Sequence, residues 1–529
     1  MEDLNPNSQG REGAMRFGRF PVLFCLGFLG IFLASGPAIA GKDHLIVAWE
    51  DSVKTMDYYQ TTQRIGVNVG YMIYDPLLKR DPKDGSLHPH LITEWKIIND
   101  TTWEFRLRPG VKFHSGNLLN AESIRFTIED RVLDPAQKAP TAAGWKWVKK
   151  VEVKDDLTFR VITDGPYPLI LERFNVLFPY DPKWVKEMVA KNGEAFLSRN
   201  AMGTGPFKFV KFTEGNRIEL VRNENYWEKG YPKFPKMTIR FIPEQSTRIA
   251  ELISGGIDVA GNILPDQVPT IQQSKTAEML IVPILRLSFW QFDSAGRAPN
   301  SSPALKDARV RKAIWHAIDR EAIIKNVLGG YVDLANIPMS PRQFAAETSI
   351  KGYEYNPEKA KALLKEAGYD KGLNLNVWTY TAITKMANEA AIGYLEKVGI
   401  KGVIRDYVGR VGEMEKLCQT SKTDGALNMT WGSYNIFDPD AIIPYFFMSP
   451  EAPYDYTNDA ELTDWLRQAR TTLDKQKRKD LYAKAQKRII DQAYWMPFFT
   501  QRSMYGVNKS LTLTVGIDEV PRFQYATWK

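Results

Sequence analysis

The chain has 529 residues, a formal net charge of +8 and an ordinary globular composition, 44% hydrophobic and 25% charged. This excludes collagen-like, coiled-coil and disordered architectures, and the length accommodates more than one lobe. Two cysteines, Cys25 and Cys418, exclude a disulfide framework and Cys-based zinc sites, five histidines leave little for a His-rich metal site, and the dispersed basic residues read as solvated surface, not as a nucleic-acid face.

In chain order, residues 15–40 carry Arg16 and Arg19, then the apolar stretch 22–33, then Ala38-Ile39-Ala40. This is the pattern of a cleavable signal peptide, so residues 1–40 are expected to be signal peptide plus an upstream extension, started at Met1 or Met15. The mature, exported chain then begins at Gly41, with a periplasmic location. The apolar stretch is short for a membrane span, and Phe24 directly before Cys25 does not fit a lipidation site. Cys418, left alone, is expected to be buried and inert.

The mature chain opens with a strand over 44–49, running into Glu50-Asp51-Ser52. Residues 103–108 alternate apolar and charged, and with Pro109-Gly110 and 111–113 they predict a β-hairpin. Asn120 caps a helix bearing Ile124 and Ile128 on one face. Strands are expected at 157–161, 207–210 and 218–221, with a tight turn at Gly203-Thr204-Gly205-Pro206. Beyond residue 300, Val310, Ile314, Ala317 and Ile318 form one apolar stripe. Ile323, Ile324, Val327 and Leu328 form another, ended by Gly329-Gly330. Asn356-Pro357-Glu358 starts a helix ended by Gly368, and 374–378 reads as the next strand. Helices at 461–473 and 475–492 precede an aromatic segment, 494–499. The class is α/β with more than one lobe.

Catalytic signatures are missing: no Gly-x-Ser-x-Gly elbow, no His-Glu-x-x-His helix, no Walker loop and no dinucleotide fingerprint. Pro206 removes an N–H that a phosphate cradle would use, so Gly203-Thr204-Gly205 reads as a bend. His88-Pro89-His90 has no third ligand nearby and reads as surface loop; His316 reads as helix packing. Asp438 and Asp440 flank a proline, as turn and cap formers do. What is abundant is aromatic surface, with 14 Trp, 23 Tyr and 26 Phe. An exported chain of this kind is expected to capture a small molecule, with no cofactor, no metal and no catalysis.

Four segments carry a resemblance. They are 103–116 with 120–124 (WEFRLRPGVKFHSG and NAESI), Gly203–Phe207 with Asn223-Glu224-Asn225-Tyr226-Trp227, 307–313 with Ala317-Ile318-Asp319-Arg320, and 355–360 with 366–369. In this order and spacing the chain resembles the family 5 extracytoplasmic solute-binding proteins of ABC importers, the dipeptide/oligopeptide/nickel-binding group. The resemblance implies a two-lobed periplasmic binding protein of type II, in the large peptide-binding class, with an extra N-terminal subdomain. Lobe I would comprise 41–84, 200–285 and 500–529, the subdomain 85–199, and lobe II 286–499. It further implies a monomer that closes on a small solute and delivers it to a membrane permease powered by an ATPase.

Peptide-binding relatives use a Trp-x-x-Asp element for the ligand's α-amino group. Here Trp431 matches the Trp, Tyr434 stands at the Asp position, and Asp438 lies downstream as a displaced candidate. A phenol carries no charge at neutral pH, so the ligand is expected to be opine- or sugar-like, with di- or oligopeptides, a nickel chelate or a denatured segment as alternatives. Trp49, Glu50 and Ser52 are expected on the first lobe's wall, with Trp145 from the subdomain and Trp290 and Trp378 as further aromatic candidates.

Overall fold

The computed structural model describes residues 43–432 and 436–529. Two long antiparallel strands, Ala277–Phe292 and Trp495–Asn508, run side by side through it. They form the centre of one sheet, whose strands run in the order Ile400–Asp406, Leu373–Thr379, Ala426–Trp431, Ala277–Phe292, Trp495–Asn508, Val259–Ala260, His44–Trp49, Lys236–Phe241, Arg217–Arg222 and Phe207–Thr213. On one flank His44–Trp49 pairs in parallel with Lys236–Phe241 and Val259–Ala260. On the other, Leu373–Thr379 pairs in parallel with Ile400–Asp406 and Ala426–Trp431.

Each flank has its own core. The first packs Leu45, Val47, Ile239 and Tyr505 together with Phe105, Phe159 and Phe174. The last three face inward from or beside a separate antiparallel sheet in the order Ile92–Asn99, Thr102–Leu107, Thr158–Thr163, Val148–Val153. The second flank buries Trp290, Ile314, Leu364, Val377 and Phe498, and beside them Phe289 stacks on Trp495 at 3.7 Å. The long strands cross between these cores. Their pairing holds over Ala277–Pro283, breaks, and resumes at Leu287 with Thr500. Pro283 has no N–H to give to a ladder, so the interruption falls where the chain passes from one core to the other.

Local signals match most elements. Asn120 and Ser123 form a reciprocal capping box at the start of Ala121–Arg125, and the helix continues as wider turns over Phe126–Leu133. The Asn356 side chain accepts from the Lys359 N–H at the start of Pro357–Glu366. One expectation changes. Thr102–Leu107 does not form a hairpin with 111–113; it pairs with Ile92–Asn99 and Thr158–Thr163, while 112 and 118 bridge within their own loop. A core of Phe105 against Phe159, 5.3 Å apart, wins over the local turn signal. The aromatic segment at 494–499 is largely the first half of the long strand Trp495–Asn508.

The glycine-rich bend has a structural reason. A Cβ on Gly203 would lie 2.2 Å from the Ile73 carbonyl oxygen, and one on Gly205 2.6 Å from the Ile73 carbonyl carbon. This close approach brings the Thr204 hydroxyl to the Asp75 carboxylate, which also accepts from Tyr226 and Trp227 and pairs with His90 at 3.1 Å. His88 instead contacts the Ser86 hydroxyl at the surface, so the two histidines part. Burial alone would raise the Asp75 carboxyl, but His90, Trp227 and Tyr226 hold it below the usual range. With the folded pKa depressed, its stabilisation is present above the unfolded pKa near 3.9 and is lost as pH falls through the lower folded value. Asp75→Asn should therefore cost about 2 kcal/mol in urea unfolding at pH 7, and the cost should shrink as pH is lowered below the unfolded value; a cost independent of pH would contradict it.

Candidate functional site

Parallel strands present ligands at their carboxyl ends. Trp49 ends His44–Trp49 on one flank, and Trp431 ends Ala426–Trp431 on the other. The two ends line the same cleft, a polar chamber of about 490 Å³. Glu50, Asn262, Tyr505 and Glu519 join Trp49 on the first wall; Tyr380, Thr381, Glu415 and Thr430 join Trp431 on the second. An aromatic chamber of about 360 Å³ adjoins it and shares Thr61, Thr62, Pro140, Glu415 and Trp431. Tyr58, Tyr59, Trp145 and Arg173 enclose it from the first side, Tyr445 and Tyr454 from the second.

The floor of the polar chamber carries charge. Arg286 lies in the interrupted stretch of the long strand and donates to Glu519 at 2.8 Å, and Arg64 approaches the same carboxylate at 3.4 Å. Burial works against the Glu519 carboxylate, but Arg286 and Arg64 hold its pKa below the usual glutamate range. Glu519 has φ +67°, a left-handed conformation that a non-glycine residue keeps only when surrounding contacts fix it. Glu50 accepts from the Asn262 amide, with Arg248 at 3.9 Å from its other oxygen. Desolvation lifts the Glu50 carboxyl above its ordinary value. Trp49 turns its indole against Gly261, where a Cβ would lie 2.3 Å from Nε1.

Trp431 has rings on three sides, with Phe446 at 5.1 Å, Tyr454 at 5.5 Å and Tyr445 at 6.0 Å. Planar side chains held this way offer stacking area with little entropy left to lose. Among the described residues no group of three His, Cys, Asp or Glu could hold a metal ion.

Of the residues anticipated from sequence, Trp49, Glu50, Trp145 and Trp431 line the cleft. Ser52 does not; its hydroxyl donates to the Val53 carbonyl. Trp290 is fully buried, and its indole donates to the Asn388 side chain at 3.0 Å. Trp378 stacks on Tyr407 and donates to the Asp424 carbonyl, away from both chambers. Asp438 lies in neither chamber. It caps the Asp440 N–H and accepts from Arg478 at 2.9 Å, with both side chains only 5% exposed. Its carboxyl is pushed up to about 6 because burial outweighs Arg478. Tyr434 lies outside the described residues. Sequence reasoning missed Arg64, Arg173, Arg286, Glu415 and Glu519, which reach the cleft from five separate segments. For Tyr380 and Thr381 a signal existed: they directly follow the strand ending at Thr379.

The model of the bacterial extracellular solute-binding proteins, family 5, matches residues 86–454, and the chain belongs to that family. Its members are binding proteins of ABC importers, which hand a solute to a permease and its ATPase; the relatives found are transport-associated binding proteins, not enzymes. The glutathione-binding protein GsiB of Pectobacterium atrosepticum is 27% identical over 492 residues, covering 91% of this chain and 93% of the relative. GsiB of Shigella flexneri is 26% identical over 501 residues, covering 93% and 95%. Among solved structures, DppA from Helicobacter pylori in complex with peptide STSA is 25% identical, with TM-score 0.78, covering 92% of this chain and 98% of that one. NikZ from Campylobacter jejuni in complex with Ni(L-His) is 25% identical, with TM-score 0.77 and the same coverage. The fold is the two-lobed one of these proteins.

Trp290 and Trp431 should part company on mutation. Trp290→Phe removes a buried hydrogen bond and part of a packed ring, and should cost about 2 kcal/mol in chemical unfolding. Trp431→Phe, at the cleft, should cost less than 1 kcal/mol; the reverse order would place the binding surface elsewhere.

Proposed function

We propose that this chain captures a small opine-like solute between its two lobes and carries it as a monomer to an inner-membrane permease. The observation that supports this most directly is the cleft itself, with a tryptophan at a strand end on each wall. Its chambers lie in the size range of small-molecule sites, about 300–1,000 Å³. Trp49, Glu50, Trp145 and Trp431 are the contact residues, and Tyr434 joins them if its phenol stands in for the peptide-binding carboxylate. The moving bodies are lobe I (41–84, 200–285, 500–529) with the subdomain 85–199, and lobe II (286–499), hinged where the long strands lose register. Residues 1–40 act as a signal peptide and upstream extension, and residues from Gly41 onward work in the periplasm.

A modified tripeptide is the second reading, favoured by relatives named for glutathione over nearly the full chain. Free di- and tripeptides fit less well. Where peptide-binding relatives pair the ammonium, the downstream carboxylates Asp438 and Asp440 are engaged by Arg478 and Arg470, and an ammonium lodged at that place without a counter-charge loses roughly 1.5–3 kcal/mol.

Solution scattering and calorimetry against glutathione, di- and tripeptides, opines, oligosaccharides and nickel–histidine test the proposal. The bound solute should shrink the radius of gyration, and Trp431→Ala should weaken it more than tenfold. An unchanged profile with every solute would refute lobe closure. N-terminal sequencing of exported material should begin at Gly41; retention of residues 15–40 would refute the soluble periplasmic form.

A further inference from the structure

We propose that the aromatic chamber reads a zwitterion, with Arg173 taking the solute's carboxylate from one wall and Glu415 its ammonium from the other. This rests on the solute-binding reading above and specifies the chemistry of that same cleft.

Arg173 belongs to the short helix Ile170–Phe174, beside the four-stranded sheet. Its Nε donates to the Tyr167 hydroxyl at 3.1 Å, a neutral partner, and no carboxylate among the described residues lies within ion-pair distance of it. The nearby acids are already engaged. Glu172 holds Arg80 at 2.5 Å and accepts from the Phe437 N–H, and Asp440 holds Arg470 at 2.8 Å. The guanidinium is also held in place from behind, since a Cβ on Gly144 would sit 3.2 Å from Nη1. A cation among tyrosines and tryptophans, with its planar fork open to a cavity, is the donor set that matches a carboxylate bidentately. Left without one, it forgoes charge-assisted bonds that nothing else in the chamber supplies.

Glu415 stands opposite on the helix Val411–Gln419 and lines both chambers. It projects from an exposed face, yet the cleft withdraws enough water from its carboxyl to raise the pKa above the ordinary glutamate value. No ion pair among the described residues engages it. The charges facing it in the polar chamber are Glu50, Asp51, Lys54 and the Arg64–Glu519–Arg286 group, in which two cations share one carboxylate. Arg173 and Glu415 therefore place opposite charges on opposite walls, with the Trp145 and Trp431 rings beside them. A solute with both an amine and a carboxylate satisfies both at once, and only when the lobes are together. A neutral sugar satisfies neither.

Two measurements test this. Without any solute, Arg173→Met should leave Tm unchanged or raise it, because the cation has no direct ion pair to lose and the carboxylate whose charge reaches it, Asp440, is held by Arg470; a clear fall in Tm would assign Arg173 to the scaffold and overturn the proposal. In calorimetry, glutathione, its N-acetyl form and its amide forms, and octopine with its esters, serve as probes. Blocking the amine should cost the wild type roughly ten- to a hundredfold and Glu415→Gln almost nothing. Blocking the carboxylates should show the same pattern with Arg173→Met. Tight binding of the blocked forms, or of a neutral oligosaccharide only, overturns the zwitterion reading yet leaves solute capture standing. Absence of compaction with every solute fails the capture reading instead, and the Tm comparison still decides the role of Arg173.

Discussion

Backbone pairing between Ala277–Phe292 and Trp495–Asn508 is the constraint on which everything else hangs. These two strands carry the sheet through both cores, and their ladder is interrupted between Pro283 and Leu287. A continuous ladder would resist bending at that point, whereas a proline and a skipped register leave fewer hydrogen bonds to strain there. The interruption also sets where residues point. Arg286 lies inside it and reaches the cleft floor, while Leu287, just beyond, already pairs with Trp431. The break in the ladder and the floor of the cleft are thus built from neighbouring residues of one strand.

The charges at this floor are partly balanced by the chain's own residues. Glu519 pairs with Arg286 and Arg64 together and offsets one of their two charges, and the strained backbone at Glu519 is fixed by those contacts. Farther along, Phe437 packs its ring under the Arg80 guanidinium at 3.9 Å, over Gly85, and its N–H donates to Glu172. These contacts join the loop around Phe437 to the segments carrying Arg80 and Glu172, beside the aromatic chamber. Solute binding there acts on an arrangement already held on two sides, which lowers the ordering it must bring about.

Much of the fold is legible in the sequence because local rules and tertiary packing agree. The caps at Asn120 and Asn356, the stripes on Ala308–Ala317 and Arg320–Asn326, and the strand before Trp49 all obey periodicity or capping chemistry. The misread hairpin at 103–113 fails because a Pro-Gly pair signals a turn without saying which strand the chain returns to. The site is less legible. Trp49, Glu50 and Trp431 sit at strand ends, where a one-dimensional pattern has some reach. Trp290 and Trp378 look the same as Trp431 in sequence, and only burial and the partners Asn388 and Asp424 separate them. Arg173, Glu415 and Glu519 are brought together by folding from more than a hundred residues apart, which no spacing rule records.

The buried junction around Asp75 has one more consequence. Thr204, Tyr226 and Trp227 belong to one of the segments that carry the family resemblance, yet neither they nor His90 lines either chamber of the cleft. The side chains of this junction and those that line the cleft are separate sets. Substitutions at sites without shared partners act nearly independently on free energy. The walls can therefore be rewritten for a new cargo without disturbing the junction, so a lineage built on this scaffold is free to change its diet while keeping its frame.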